Sequence, residues 1–327
     1  MDKSYNSIYG LHIKQFIEMK RALGFKYVTG AFILYQMDRF AEQREEISTG
    51  ITSEFAKSWS EKRPHESDIY RYDRIRILAQ FSSYLLDLGI QSYIPKLTQH
   101  PKNAFIPYIF SRNEIDAIFK ACDSLTLEPL NPASVIFSMP LLLRLLYATG
   151  IRIGEALNLK DKEVNLNENY LQVKDSKNGK ERIIPISKSL VSVCEEYLKY
   201  RNHLPLGKIK SGYFFVSLNG NKCGQSVRSW FKRCLEKADV PDIKGNQIPR
   251  IHDLRHTFAV TALANMAETG IDLYASLPVL SNYLGHQSLS ATNHYVRLTA
   301  NMYPDLIKKV DMVCLDVFPK ISNYESD

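Results

Sequence analysis

Six residues between positions 152 and 295 are of types that can work together at an anionic centre. Arg152 lies in Thr149-Gly150-Ile151-Arg152-Ile153-Gly154-Glu155, and Arg255 closes the run His252-Asp253-Leu254-Arg255, with His256 directly after it. Lys177 precedes Asn178-Gly179, His286 ends Leu284-Gly285-His286, and Tyr295 follows nine residues later. Two guanidiniums can hold the oxygens of a phosphodiester through paired, charge-assisted hydrogen bonds, which a lysine makes less directionally. Fixed cations of this kind stabilise charge that develops during attack on phosphorus. Histidines can move or hold a proton near neutral pH. A phenol, with a reference pKa near ~10, attacks only where its surroundings help remove its proton. Taken singly, an H-x-x-R pair, a lysine beside a turn and a helical tyrosine are each most often structural. The signal lies in their order and context together.

The elements that must position these residues are mostly helical. Glycine follows the apolar run ending at Tyr147, so Thr149-Gly150 closes one helix and a short one, about Ile153 to Leu159, begins beside Arg152. The pattern then changes to three short strands near 163–166, 170–174 and 182–186. Asn178-Gly179 makes the second connection a hairpin turn that carries Lys177. Helices are expected again over 190–200, 227–238, 251–268 and 277–284, with a short one near 291–298 holding Tyr295. His252 and Arg255, three apart on one helix, face one pocket. Upstream, Ser111 and Glu114 form a capping box at the start of another helix. Apolar spacing over the first hundred residues predicts four helices, the fourth running from about Ser67 to Leu88 with Arg71 and Arg74 on one side. Residues 98–107 carry two prolines and break the pattern. The expected division is therefore a helical unit over 1–97, a linker over 98–107, a larger unit over 108–302, and a tail over 303–327. The fold class is mainly α with a small antiparallel β-sheet (α+β).

The ordered motifs over about 108–300 resemble the tyrosine recombinase, or phage integrase, family. Its signature is an arginine in a G-x-R-x-x-E context, a hairpin lysine, H-x-x-R, L-G-H and a tyrosine. The resemblance implies a catalytic domain preceded by a helical DNA-clamping domain, here 1–97, where the likeness is weak. It implies that Tyr295 is the nucleophile and that Arg152 and Arg255 clamp the phosphate. His252 then acts as base or hydrogen-bond partner of the tyrosine, His286 bonds a non-bridging oxygen, and Lys177 protonates the departing 5′-oxygen. Glu155 orients Arg152, and His256 supports the site rather than reacting. Lys174, Lys180 and Arg182 around the sheet, with Arg71 and Arg74 in the first unit, are candidate DNA contacts. The segment Asp272 to Gly285 is about four residues longer than in many members and contains Pro278, which bears on how His286 is presented.

Composition agrees with this reading and removes others. The formal charge is +7 and the pI about 9.0, with 14 basic and 12 acidic residues in the first hundred, so most of the excess falls later. A moderate basic excess permits a polyanionic partner. The five cysteines are odd in number and contain no CxxC pair, which argues against a disulfide framework or zinc site and for a reducing cytoplasm. The N-terminus has no apolar signal region. The most apolar stretch, Val135 to Ile151, is interrupted by Arg144 and Pro140 and is too short to span a membrane. The expectation is a site-specific recombinase that cuts and rejoins double-stranded DNA through a 3′-phosphotyrosine, with no cofactor and no metal. It would act as a homotetramer on DNA or with a second recombinase, in integration, excision or transposition of a mobile element. The alternatives are a type IB topoisomerase, a catalytically silent DNA-binding protein of the same fold, and a carboxylate-metal transposase.

Overall fold

Apolar residues at helical spacing bury one face of each helix, and the computed structural model packs these faces into separate cores. It describes residues 4–101, 107–126, 131–174, 181–204, 212–240, 248–286, 292, 295, 296, 298 and 299. The chain divides into two compact units, Met1–Phe105 and Ile106–Asp327.

The first unit contains α1 (Gly10–Ala22), α2 (Val28–Gln43), α3 (Ser53–Ser60) and α4 (Asp68–Asp87). Thr52 and Ser67 cap α3 and α4, their hydroxyls accepting from the backbone N–H groups of Phe55 (3.1 Å) and Tyr70 (3.2 Å). Phe16, Leu34, Phe55, Trp59 and Phe81 fill the core. Arg74 belongs to this interior and is completely buried. Its guanidinium donates to both oxygens of Glu66 at 2.6 and 2.9 Å, and to the carbonyls of Glu61 and Trp59. The expectation of a DNA contact at Arg74 is therefore corrected: a buried charge is tolerable only when paired and hydrogen-bonded, and every donor here points inward. Arg71, three residues earlier, is half-buried and donates to the Ser60 carbonyl at the end of α3 (2.8 Å).

The second unit is built around α6 (Met139–Thr149), whose five leucines are all buried. A 3-10 turn, Ile136–Ser138, precedes α6. Pro140 lies in the first turn of α6, which proline suits, unlike a helix interior. Against α6 pack α5 (Arg112–Asp123), α7 (Ile153–Asn158), α8 (Lys188–His203) and α10 (Asp253–Glu268), while α9 (Ser226–Lys237) packs on α5 and α11 (Leu273–Leu284) on α10. The Ser111–Glu114 capping box forms at the start of α5.

The sheet has three antiparallel strands in sequence order, β1 (Val164–Asn165), β2 (Tyr170–Val173) and β3 (Arg182–Pro185). Leu171 pairs with Ile184, and both side chains are buried in the same core as Leu142 and Leu146. The paired strands thus hold β3, with Arg182 at its start, against the helices. A smaller core joins Ala259, Val260 and Leu263 of α10 to Leu280 and Leu284 of α11, and to Tyr295 and Leu298. The fold class is as expected: helices dominate, with one small antiparallel sheet. Among the described residues no helix is long and apolar enough to cross a membrane. The tail over 303–327 and the hairpin lysines Lys177 and Lys180 lie outside the described residues.

Candidate active site

Two helix ends create the site, and each is stopped by a glycine in the left-handed region. Gly150 (φ 60°) closes α6, and a Cβ there would meet the Phe258 ring at 2.3 Å. The chain can therefore turn at once into α7, whose N-cap is Arg152. Gly285 (φ 66°) closes α11. Its N–H donates to the Asn282 carbonyl and that of His286 to the Ser281 carbonyl, both at 3.0 Å, which is a Schellman closure. The last three carbonyls of the α11 end are then taken by three arginines. Arg182 donates through Nε to the Tyr283 oxygen (2.8 Å), Arg255 through Nη2 to that of Leu284 (2.7 Å), and Arg152 through Nη2 to that of Gly285 (2.7 Å). A helix C-terminus carries partial negative charge and unpaired carbonyls, so it is a natural seat for guanidiniums. Arg255 also donates to the Gly150 oxygen (2.6 Å), tying the two glycine turns together. The segment before Gly285 is α11 itself, with Pro278 inside the helix, and it delivers His286 to Arg255.

Glu155 is the only carboxylate among the described residues that binds two of these arginines. It accepts from Arg152 Nη1 (2.9 Å) and from Arg182 at 3.2 and 2.7 Å, while its Oε2 also accepts from the Arg152 backbone N–H (3.2 Å). Burial alone would raise its pKa. The hydrogen bonds and charges of Arg182 and then Arg152 outweigh burial and hold it below the ordinary carboxylate range. The expectation that Arg182 contacts DNA is corrected, because its guanidinium turns inward onto Glu155 and the Tyr283 carbonyl. Lys174, just beyond β2, is half-buried.

A depressed pKa in the folded state means that Glu155 stabilises the fold fully above the unfolded value, about 4.3, and progressively less as the pH falls through the folded value. Glu155→Gln is therefore expected to cost about 3 kcal/mol near neutral pH, the lower end for breaking a buried pair because Arg152 remains partly open to solvent. The gap from wild type should narrow as the pH falls below the unfolded value and through the folded one. Thermal unfolding of both proteins between pH 7 and 3 measures this, and a gap independent of pH would remove Glu155 from the ion network.

The histidines divide the remaining contacts. His286 receives Arg255 Nη2 at its Nε2 (3.0 Å) and meets Thr292 Oγ1 at its Nδ1 (2.8 Å). A guanidinium only donates, so Nε2 is the acceptor and the ring proton sits on Nδ1, directed at Thr292. Burial, then Arg255 and Arg152, push the His286 pKa down to about 4, so the ring is neutral at neutral pH. His252 is lowered to about 4 by burial and then by Arg255, Arg250 and Arg152. Its ring lines a cavity of about 520 Å³ with Arg228, Lys232 and Arg250.

Tyr295 is 3% exposed, on helical backbone whose Thr299 hydroxyl donates back to the Tyr295 carbonyl (2.9 Å). Its phenol oxygen lies 2.9 Å from Nδ1 of His256 and within hydrogen-bonding reach of Arg255. The expected partner at that oxygen was His252; the ring found there is His256, one helical turn further along α10. Burial raises the Tyr295 pKa, against the lowering effect of Arg255 and Arg152. Arg255 itself, 2% exposed, is brought down to about 10 by burial and by Arg152, and stays charged.

Arg152, Glu155, Arg255, His256, His286 and Tyr295 therefore converge from four separate segments. The sequence matches the phage integrase family over residues 109–302. The chain belongs to the phage integrase family. Among family relatives, tyrosine recombinase XerA of Pyrococcus horikoshii is 30% identical over 241 residues, covering 72% of this chain and 73% of that protein. The integrase fold extends to solved structures. The Tn1549 transposon integrase in complex with transposon right end DNA has a TM-score of 0.63 at 16% identity, covering 91% of this chain and all of that one. XerH site-specific recombinase bound to its difH substrate has a TM-score of 0.60 at 20% identity, covering 82% and 74%. Within this site, Thr292 is the contact that the sequence reading did not name, and His256 is one to which it gave only a supporting part. Their available signal was helical spacing: Thr292 precedes Tyr295 by three residues, and His256 follows His252 by four.

Proposed function

We propose that this chain is a site-specific recombinase that cleaves and rejoins duplex DNA through a 3′-phosphotyrosine at Tyr295, serving the integration, excision or transposition of a mobile element. The observation that carries this reading is the convergence of Arg152 and Arg255 on the Gly285–His286 turn, with the His286 ring stacked against that of Tyr295 at 6.0 Å between centroids. Three guanidiniums against one carboxylate leave this buried cluster with two surplus positive charges, Arg152, Arg182 and Arg255 against Glu155. That surplus suits a phosphodiester, whose charge grows as the phenolate attacks. Arg152 and Arg255 would exchange carbonyl partners for the non-bridging phosphate oxygens, and His286, once Arg255 leaves its Nε2 and the ring proton moves there from Nδ1, would donate to one of the same oxygens. The transesterification keeps the bond energy in the phosphotyrosine, so rejoining needs no ATP. The helical unit Met1–Phe105 would clamp the duplex, and protomers would assemble as a tetramer or with a second recombinase. The homology to Xer recombinases and the integrase structures supports this reading.

The test is a nicked duplex site whose short end diffuses away after cleavage. The protein should migrate with the DNA after denaturation, in the presence of EDTA. A protein that binds the site and never forms the adduct, alone or with a partner recombinase, would support a silent DNA-binding protein instead. The same substrate tests Lys177 as the acid. Lys177→Ala should slow cleavage of ordinary DNA by about 10²–10⁴-fold. It should leave nearly unaffected a substrate with a 5′-bridging sulfur, whose thiolate departs without a proton. Equal losses on both substrates would take the acid role from Lys177 and make Lys180 the next candidate.

A further inference from the structure

The phenol of Tyr295 is buried, and its proton needs an acceptor there. Arg255, within reach of the same oxygen, offers only donors. Nδ1 of His256 lies 2.9 Å away, a normal hydrogen-bond length. The two rings are tilted by 48° with centroids 5.6 Å apart. His286 cannot serve, because its Nε2 is taken by Arg255 and its Nδ1 faces Thr292. The His252 ring stands perpendicular to that of His256 with centroids 4.9 Å apart, and it lines the basic cavity.

We infer that His256 is a catalytic residue, the general base that takes the Tyr295 proton during cleavage and returns it during rejoining. This rests on the phosphotyrosine reading above. The Oη–H bond of Tyr295 breaks and the proton moves to His256 Nδ1, giving an imidazolium whose Nε2 proton was already present. The freed electron pair forms the bond from Oη to phosphorus. The bond from phosphorus to the 5′-oxygen breaks, and that oxygen takes a proton from Lys177. Rejoining runs the steps backwards, with the imidazolium protonating the departing phenolate. Arg255 stabilises the phenolate in both directions. A base in contact with the phenol matters because burial makes this tyrosine a weaker acid than usual.

The decisive variant is His256→Asn, because the asparagine Oδ1 falls near the position of Nδ1. It can still accept the phenol hydrogen bond but cannot take the proton. On the nicked substrate, His256→Asn should form adduct about 10²–10⁴-fold more slowly than wild type, with DNA binding and thermal unfolding close to wild type. A second variant, His256→Ala, opens room at the ring position, and added imidazole should restore part of its cleavage rate. Adduct formation by His256→Asn at the wild-type rate would overturn the assignment while leaving the recombinase reading intact. So would a His256→Ala defect that imidazole leaves untouched while the protein stays folded. A wild-type protein that forms no adduct on a bound site would overturn both.

Discussion

Tyr295→Phe is expected to bind its DNA site as the wild type does and to form no covalent adduct. The substitution removes one oxygen and keeps the ring, which packs against Leu284 and Leu298 in the smaller core. The cost to the fold is the bond to His256, about 1–3 kcal/mol for a buried partner left unsatisfied. The chemical loss is complete, because another hydroxyl would have to reach the phosphorus in line with the 5′-oxygen. Tyr283 is the natural control. Its ring stacks on Phe258 at 5.7 Å, and burial pushes its pKa up to about 12, so it is held in place and poorly acidic. Tyr283→Phe should retain the adduct. Peptide mapping of the wild-type adduct should identify Tyr295. An adduct on Tyr283 or Tyr303, or one that persists in Tyr295→Phe, would overturn the nucleophile assignment.

The second large effect is expected at Arg255. Arg255→Lys keeps a positive charge and loses the fork that reaches Gly150, Leu284 and His286 together. A lysine can satisfy one of these acceptors well, so at least one buried carbonyl loses its donor, at about 1–3 kcal/mol. Cleavage should fall by about 10²–10³-fold, the usual loss when one fixed donor to developing charge is removed. The substitution also frees His286 Nε2 and removes the donor near the Tyr295 oxygen, so nucleophile and phosphate contacts suffer together. Single-turnover adduct formation at saturating protein separates this from weakened binding. Cleavage within a few-fold of wild type would mean that Arg255 is a structural tie between the two glycine turns and does not act on the phosphate.

Much of this site was legible in the sequence because its parts are local. The turn that begins α7 needs Gly150, and the Schellman closure of α11 needs Gly285, so both glycines announce helix ends wherever they stand. Arg152 and Glu155, three apart at a helix start, are bound to meet. The hairpin, the capping box at Ser111 and the four helices of the first unit follow from turn chemistry and hydrophobic period.

Where the sequence reading failed, the deciding contact came from a distant segment. Arg74 and Arg71 are neighbours on α4, yet Arg74 is interior because Glu66 and the end of α3 meet it there. Arg182 resembles an exposed strand cation until α11 is laid beside it and Glu155 claims its guanidinium. The clearest case is the pair His252 and His256. Four residues on a helix separate them by about 40° around the axis and about 6 Å along it, so periodicity places both on one face. The sequence by itself determined the types, their order, the glycine stops and hence the family. The tertiary structure alone decided which histidine meets Tyr295. That contact depends on how far along α10 the phenol lands when Leu284, Tyr295 and Leu298 close their common core, a distance that no local pattern encodes.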